Sequence, residues 1–130
     1  MAGTPVVTII DDDQSLRESI MDLVRAMGFE AQEFERAEDF LGSDSIARTA
    51  CLVTDMRMPG MTGLELHERL VARGERIPTI VITAFPKDDD RARAQRNGVV
   101  CYLAKPFDHN QLADCITSAL EKREDSRRTS

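Results

Sequence analysis

The chain has 130 residues, 42% of them hydrophobic and 31% charged, which is enough apolar material for one core and too little length for two. No apolar run approaches the ~20 residues that cross a bilayer, and the opening MAGTP lacks the basic and apolar regions of a signal peptide, so a cytoplasmic protein without membrane contact is expected. A formal net charge of -6 and a pI near 4.9 exclude a basic footprint for nucleic acid, so any contact with DNA is expected to belong to another domain or partner.

Short, near-continuous apolar runs alternate with longer stretches of helical period, the pattern of parallel strands joined by crossover helices. The first run, residues 6–10, ends in Asp11, Asp12 and Asp13. Ser15 with Glu18 then matches a capping box, Leu16, Ile20, Leu23, Val24 and Met27 share one helical face, and Gly28 suits a left-handed stop. A weaker strand is predicted at 31–34. The run 50–53 leads to a lone Asp55 just before Met58, Pro59 and Gly60, and Thr62 with Glu65 forms a second capping box. Residues 79–83 form the fourth strand, closing on Thr83. The segment 88–97 is a helix with only Ala92 and Ala94 apolar, which marks either a weakly packed, movable element or a plain solvated one. Residues 99–104 form a fifth strand, followed by Lys105 and Pro106, and the continuous apolar runs are expected to be central and buried on both faces. A last helix over 111–120 presents Leu112, Ile116 and Leu120 in one stripe, and after Leu120 the charged EKREDSRRTS predicts fraying and a disordered tail. The domain is therefore expected over 1–121, with 122–130 a charged tail or the start of a linker.

Cys51, Cys101 and Cys115 are odd in number, widely spaced and set in apolar surroundings, so they read as small buried side chains with neither a zinc site nor a disulfide framework. His67 and His109 lack partners at ligand spacing and read as surface or boundary residues.

In an open parallel sheet, ligands bind beyond the carboxyl ends of the strands, which is where Asp11–Asp13, Asp55, Thr83 and Lys105 all fall. Carboxylates crowded at one edge repel one another unless they share a hard cation, and Mg2+ favours a few carboxylates together with waters and a phosphate oxygen. The same three aspartates also suit the positive N-terminal end of a helix, and Lys105 could simply snorkel to solvent. Phosphoryl transfer needs a nucleophilic oxygen, a metal, and fixed donors for the remaining charge. A carboxylate, the Lys105 ammonium, the Thr83 hydroxyl and the Ala84 backbone N–H are candidates for those roles.

The segments IIDDDQSLRES, LVTDMRMPGMTGLEL, IVITA and YLAKPF resemble, in order and approximate spacing over residues 6–121, the signature blocks of bacterial two-component receiver domains. RMPGMTGLEL most resembles receivers of the FixJ type, which usually precede a DNA-binding helix-turn-helix domain. The resemblance implies a flavodoxin-like (βα)5 α/β sandwich with a five-stranded parallel sheet in the order 2-1-3-4-5. It implies that Asp55 accepts a phosphoryl group from a sensor histidine kinase or phosphotransfer protein, and that Mg2+ (or Mn2+) is held by Asp12, Asp55 and the Arg57 backbone carbonyl, with Asp11 acting through metal-bound water. Asp13 matches a variable position and is not expected to be a ligand. Lys105, with a cis peptide to Pro106, would contact the phosphoryl group. Thr83 and Tyr102 match the switch pair, and Arg57 and Phe85 flank the path of hydrolytic water. The output is expected to be a changed interaction or homodimer surface on the fourth helix, fifth strand and fifth helix, with self-phosphorylation and slow self-hydrolysis rather than ordinary turnover.

Three competing readings remain from the residues. A receiver-like interaction module that is never phosphorylated is disfavoured because such domains typically lose one of the site residues and this chain retains them all. Asp11 and Asp13 could form the D-x-D pair of a haloacid-dehalogenase-like phosphatase, although Ser15 stands where that family usually has Thr or Val. A flavin site is disfavoured because the first loop is acidic where a phosphate cradle would be rich in Ser, Thr or Gly.

Overall fold

In the computed structural model, which describes residues 3–129, five strands form one parallel sheet: β1 (Val6–Ile10), β2 (Glu30–Phe34), β3 (Thr49–Asp55), β4 (Thr79–Thr83) and β5 (Cys101–Ala104). Their order is β2-β1-β3-β4-β5. Five α-helices link or follow them: α1 (Gln14–Ala26), α2 (Ala37–Leu41), α3 (Gly63–Ala72), α4 (Asp88–Arg96) and α5 (His109–Thr129), with a 3-10 turn at Asp44–Arg48. The flavodoxin-like α/β architecture and strand order are those expected.

The sheet divides the core. On one face Val7, Ile9, Val53, Ile80 and Ile82 pack against Ile20 and Val24 of α1 and Leu112 and Ile116 of α5. On the other, Ile10 and Leu52 meet Phe40 of α2 and Leu66 and Leu70 of α3, while Val81 meets Leu64 of α3 and Ala94 of α4. Every residue of β3 and β4 is buried, as two-sided apolar runs require.

Local chemistry differs from expectation at several points. Asp13, not Ser15, caps α1: its carboxylate accepts the Leu16 N–H at 3.2 Å, and helix begins at Gln14. An aspartate gains there both as acceptor and as an anion at the positive helix end. Thr62 and Glu65 do form the capping box, with reciprocal bonds of 3.1 and 2.9 Å, and these hold the Glu65 carboxyl below its ordinary range. Gly28 adopts φ +90° at the end of α1, a conformation that excludes most side chains.

β5 is an edge strand with half-buried side chains rather than a central one, and it starts at Cys101. The two preceding valines are used otherwise: the Val99 N–H donates to Ala94 O and helps end α4, and the Val100 N–H donates to Thr79 O. α4 has Ala94 as its one buried residue. Beyond Leu120, where fraying was expected, α5 continues as helix to Thr129.

His67, expected near the surface, is buried on α3, and burial pushes its imidazole pKa below the usual value. His109 is exposed at the start of α5. Cys51 is buried as expected, its thiol pushed up to about 12. Cys101 and Cys115 depart from expectation: they are joined by a disulfide between β5 and α5, with Cα atoms 6.1 Å apart. The 14-residue separation hid a pairing that only the strand-to-helix crossover creates.

Candidate functional site

β1 and β3 lie side by side at the centre of the sheet, so the residues closing them meet at its carboxyl edge. Asp11 follows β1 and is fully buried; Asp55 ends β3 and is 7% exposed. Carboxylate oxygens of Asp11, Asp12 and Asp55 lie within 4.8 Å of one another. Lys105 reaches across from the end of β5, its Nζ 3.3 Å from Asp55 Oδ1 and 3.5 Å from Asp11 Oδ2. Its peptide to Pro106 is cis.

Burial dominates the electrostatics. It pushes the Asp11 carboxyl up to about 6, opposed by the Asp13 N–H that donates to Asp11 Oδ1 at 2.8 Å and by Lys105, and assisted by the charge of Asp55. Asp55 is likewise raised above the ordinary range by burial, and Lys105 acts against the shift. One ammonium therefore faces two buried carboxylates, with the exposed Asp12 beside them. Oxygen donors so crowded fit a hard divalent cation, which would relieve both the repulsion and the burial cost.

The two buried carboxylates are not equivalent. Asp11 has the Asp13 N–H on one oxygen and Lys105 on the other, and its backbone carbonyl accepts Arg17 Nη1 at 2.7 Å. Arg17 also pairs with Glu33 at 2.7 Å, so α1 and β2 together clamp the acidic loop. Asp13 turns into its helix cap, away from a ligand role. Asp55 is the carboxylate of the buried pair that retains some exposure.

Thr83 is fully buried at the end of β4, and its Oγ1 accepts the Phe85 N–H at 3.1 Å. Ala84, next in the chain, is exposed. Tyr102 on β5 is half-buried; its hydroxyl accepts the Lys87 N–H at 3.3 Å, and the Arg91 guanidinium stands 5.0 Å from the ring centroid. Arg57 and Phe85, from the loops after β3 and β4, stack at 5.8 Å, with Phe85 64% exposed. The site residues singled out from sequence thus lie at the carboxyl ends of β1, β3, β4 and β5 or in the loops that follow, or, for Tyr102, within β5.

Two positioning residues had no distinct sequence signal. Arg17 reads as one more charge on an exposed helical face. Gly63 opens α3 against β3, where an added Cβ would come 2.6 Å from the Asp55 carbonyl oxygen; its place directly after a capping threonine was the available hint.

The family model for the response regulator receiver domain matches residues 7–117. Nodulation protein W of Bradyrhizobium diazoefficiens is 36% identical over 95% of this chain and 56% of its own length. The transcriptional regulatory protein FixJ of the same organism is 33% identical over 91% of the chain and 58% of its length, and the transcriptional regulatory protein TdiR of Thauera aromatica is 33% identical over 88% and 50%. Among solved structures, the response regulator StyR superposes with a TM-score of 0.90 at 39% identity, covering 98% of this chain and 64% of that one. FixJ-N gives 0.81 at 32%, covering 92% and 96%. The chain spans about half the length of the curated relatives it matches. With the acidic rim, the lysine and the strand order in place, the chain belongs to the receiver domain family of two-component response regulators, with FixJ and other transcription regulators among its relatives.

Proposed function

We propose that Asp55 is the phosphoryl acceptor of this receiver. The observation that carries the reading is the Lys105 ammonium 3.3 Å from the buried Asp55 carboxylate, which keeps 7% exposure, beside two further aspartates. An Asp55 oxygen attacks the phosphorus of a phosphohistidine on a sensor kinase or phosphotransfer protein, the P–N bond breaks, and the imidazole leaves with the electron pair. Lys105 and the Ala84 N–H offset charge on the transferred group. Asp11, Asp12, Asp55 and the Arg57 carbonyl would hold Mg2+ or Mn2+, which supplies positive charge for the phosphoryl oxygens. Small acyl phosphates serve as alternative donors, and hydrolysis is slow self-hydrolysis.

The Thr83 hydroxyl, which accepts the Phe85 N–H, turns toward the new phosphoryl oxygens, and Tyr102 moves into the space released. Tyr102 leaves Lys87 and Arg91 as it does so, altering the α4–β5–α5 surface on which a homodimer forms. Moving such an equilibrium from 1:99 to 99:1 requires about 5.5 kcal/mol, so these contacts act together. In the intact protein this surface controls transcription in the cytoplasm through a separate DNA-binding domain, while the receiver itself touches neither nucleic acid nor membrane.

Acetyl phosphate with Mg2+ should label the wild type and leave Asp55→Asn unlabelled on a phosphate-affinity gel. Undiminished label on Asp55→Asn, or label mapped to Asp11, would overturn the assignment; the latter would favour the D-x-D phosphatase reading.

A further inference from the structure

The chain has three cysteines, and the fold separates them into a buried singleton and a pair. Cys51 lies inside β3, where burial keeps it as an inert thiol. Cys101 opens the edge strand β5 and is half-buried, and Cys115 lies on the packed face of α5 between the fully buried Leu112 and Ala119. Their Cα separation of 6.1 Å is within the roughly 4.4–6.8 Å that a disulfide spans without moving the backbone. Cys101 is half-buried on the edge strand while Cys115 is buried, which makes Cys101 the more approachable end of the bond, and dithiol pairs in reducing compartments commonly cycle rather than serve as permanent braces.

We propose that Cys101 and Cys115 form a reversible redox site, a dithiol–disulfide couple that staples β5 to α5 and restrains the strand carrying Tyr102. The couple stands on the geometry alone; its bearing on switching rests on the reading of Tyr102 above. In reduction, a small thiolate such as glutathione attacks Cys101 Sγ. The S–S electron pair passes to Cys115 Sγ, which takes a proton, and a second thiolate displaces the first as disulfide, leaving Cys101 to be protonated. In oxidation by a peroxide, the two thiols give up two electrons and two protons and the peroxide becomes two waters.

Cys101 is the residue immediately before Tyr102, so the staple fixes the backbone on one side of the moving ring. Oxidised protein is therefore expected to accept the phosphoryl group while losing most of the ring's response. The readout is direct, because Tyr102 is the chain's single tyrosine and there is no tryptophan.

The full 130-residue chain is oxidised with glutathione disulfide or reduced with dithiothreitol, thiols are trapped with iodoacetamide, and peptides are mapped by mass. Tyrosine emission is then followed on adding beryllofluoride with Mg2+. Expected are a Cys101–Cys115 peptide that dithiothreitol removes, and an emission change present in reduced protein and largely lost in oxidised protein. Cys101→Ser and Cys115→Ser should each behave as reduced protein under both conditions, with phosphoryl uptake equal throughout. Absence of the linked peptide after oxidation overturns the couple, and equal emission changes in linked and unlinked protein overturn its effect on switching. Failure of wild type to take up phosphoryl under either condition would instead count against Asp55, and the peptide map alone would then decide the couple.

Discussion

At the scale of single residues, Asp11 shows how the site opposes folding. Its carboxyl has an ordinary pKa of 3.8 and sits at about 6 in the folded chain, chiefly through burial. A raised folded pKa means that this group's contribution is fully present below about pH 4 and is lost as pH rises through 6, leaving a cost on the order of 3 kcal/mol at pH 8. Asp11→Asn, which keeps the acceptor oxygen for the Asp13 N–H, should therefore melt several degrees higher than wild type at pH 8 in chelator and show little difference at pH 4. Mg2+ should raise the wild-type midpoint at pH 8 and affect the variant much less. Equal midpoints at pH 8 in chelator would sink this account. Phe85 belongs to the same scale. Its stack with Arg57 spans the loops after β3 and β4, on the expected path of hydrolytic water. Phe85→Ala should shorten the phosphoryl half-life severalfold, read by decay of the label, and an unchanged or longer half-life would remove the screening role. The acids, Thr83 and Lys105 were legible because each ends an apolar run, whereas which of the three aspartates caps α1 was hidden, since a carboxylate there suits a helix end or a metal equally, and the clamp formed by Arg17 was hidden because an arginine on a helical face equally suits solvent.

Among the helices, α4 is the least anchored by apolar packing. It buries Ala94, and its main tie to the rest of the chain is polar: Arg93 donates to both oxygens of Glu68 on α3 at 2.8 and 2.6 Å, and Asn97 donates to Glu68 at 2.7 Å. These bonds hold the Glu68 carboxyl below its usual range. The partners are partly solvated, so Glu68→Ala should cost no more than about 1 kcal/mol of global stability. Amide exchange across residues 88–97 should nevertheless accelerate markedly, because little else holds the helix. Unchanged exchange there, with α3 intact, would show that apolar contacts suffice. The polarity of this helix was plain in the sequence, and its placement followed. The edge position of β5 followed from the expected strand order, but its burial was misjudged from its run of apolar residues, since burial depends on which neighbours cover a strand and not on its own hydrophobicity. His67 was misplaced for the complementary reason: a polar residue inside a helical period was carried into the core by the face on which it fell.

For the molecule as a whole, the strand order gathers groups distant in sequence onto one rim and leaves α4, β5 and α5 as a continuous side. If phosphorylation reshapes that side for self-association, sedimentation with Mg2+ should detect a monomer becoming a dimer on adding beryllofluoride. Tyr102→Ala should weaken the shift, and a wild-type monomer under both conditions would exclude the dimer. The global architecture was legible because alternation of apolar runs with helical periods leaves few topologies open. The disulfide was not, because it joins two elements whose adjacency exists only after the crossover is made.

β3 is covered along all seven residues, while β5, two strands away, is half open. A substitution in β3 is thus felt on both faces of the sheet, whereas one in β5 meets solvent on part of its surface. Saturation mutagenesis should accordingly divide the sheet into two territories: along β3, most changes abolish the folded protein outright, and along the edge strand many leave it folded with its resting balance altered. Variants that signal without a donor would be drawn from the second territory, so the chain can change how readily it responds without risking the strand that carries the proposed acceptor.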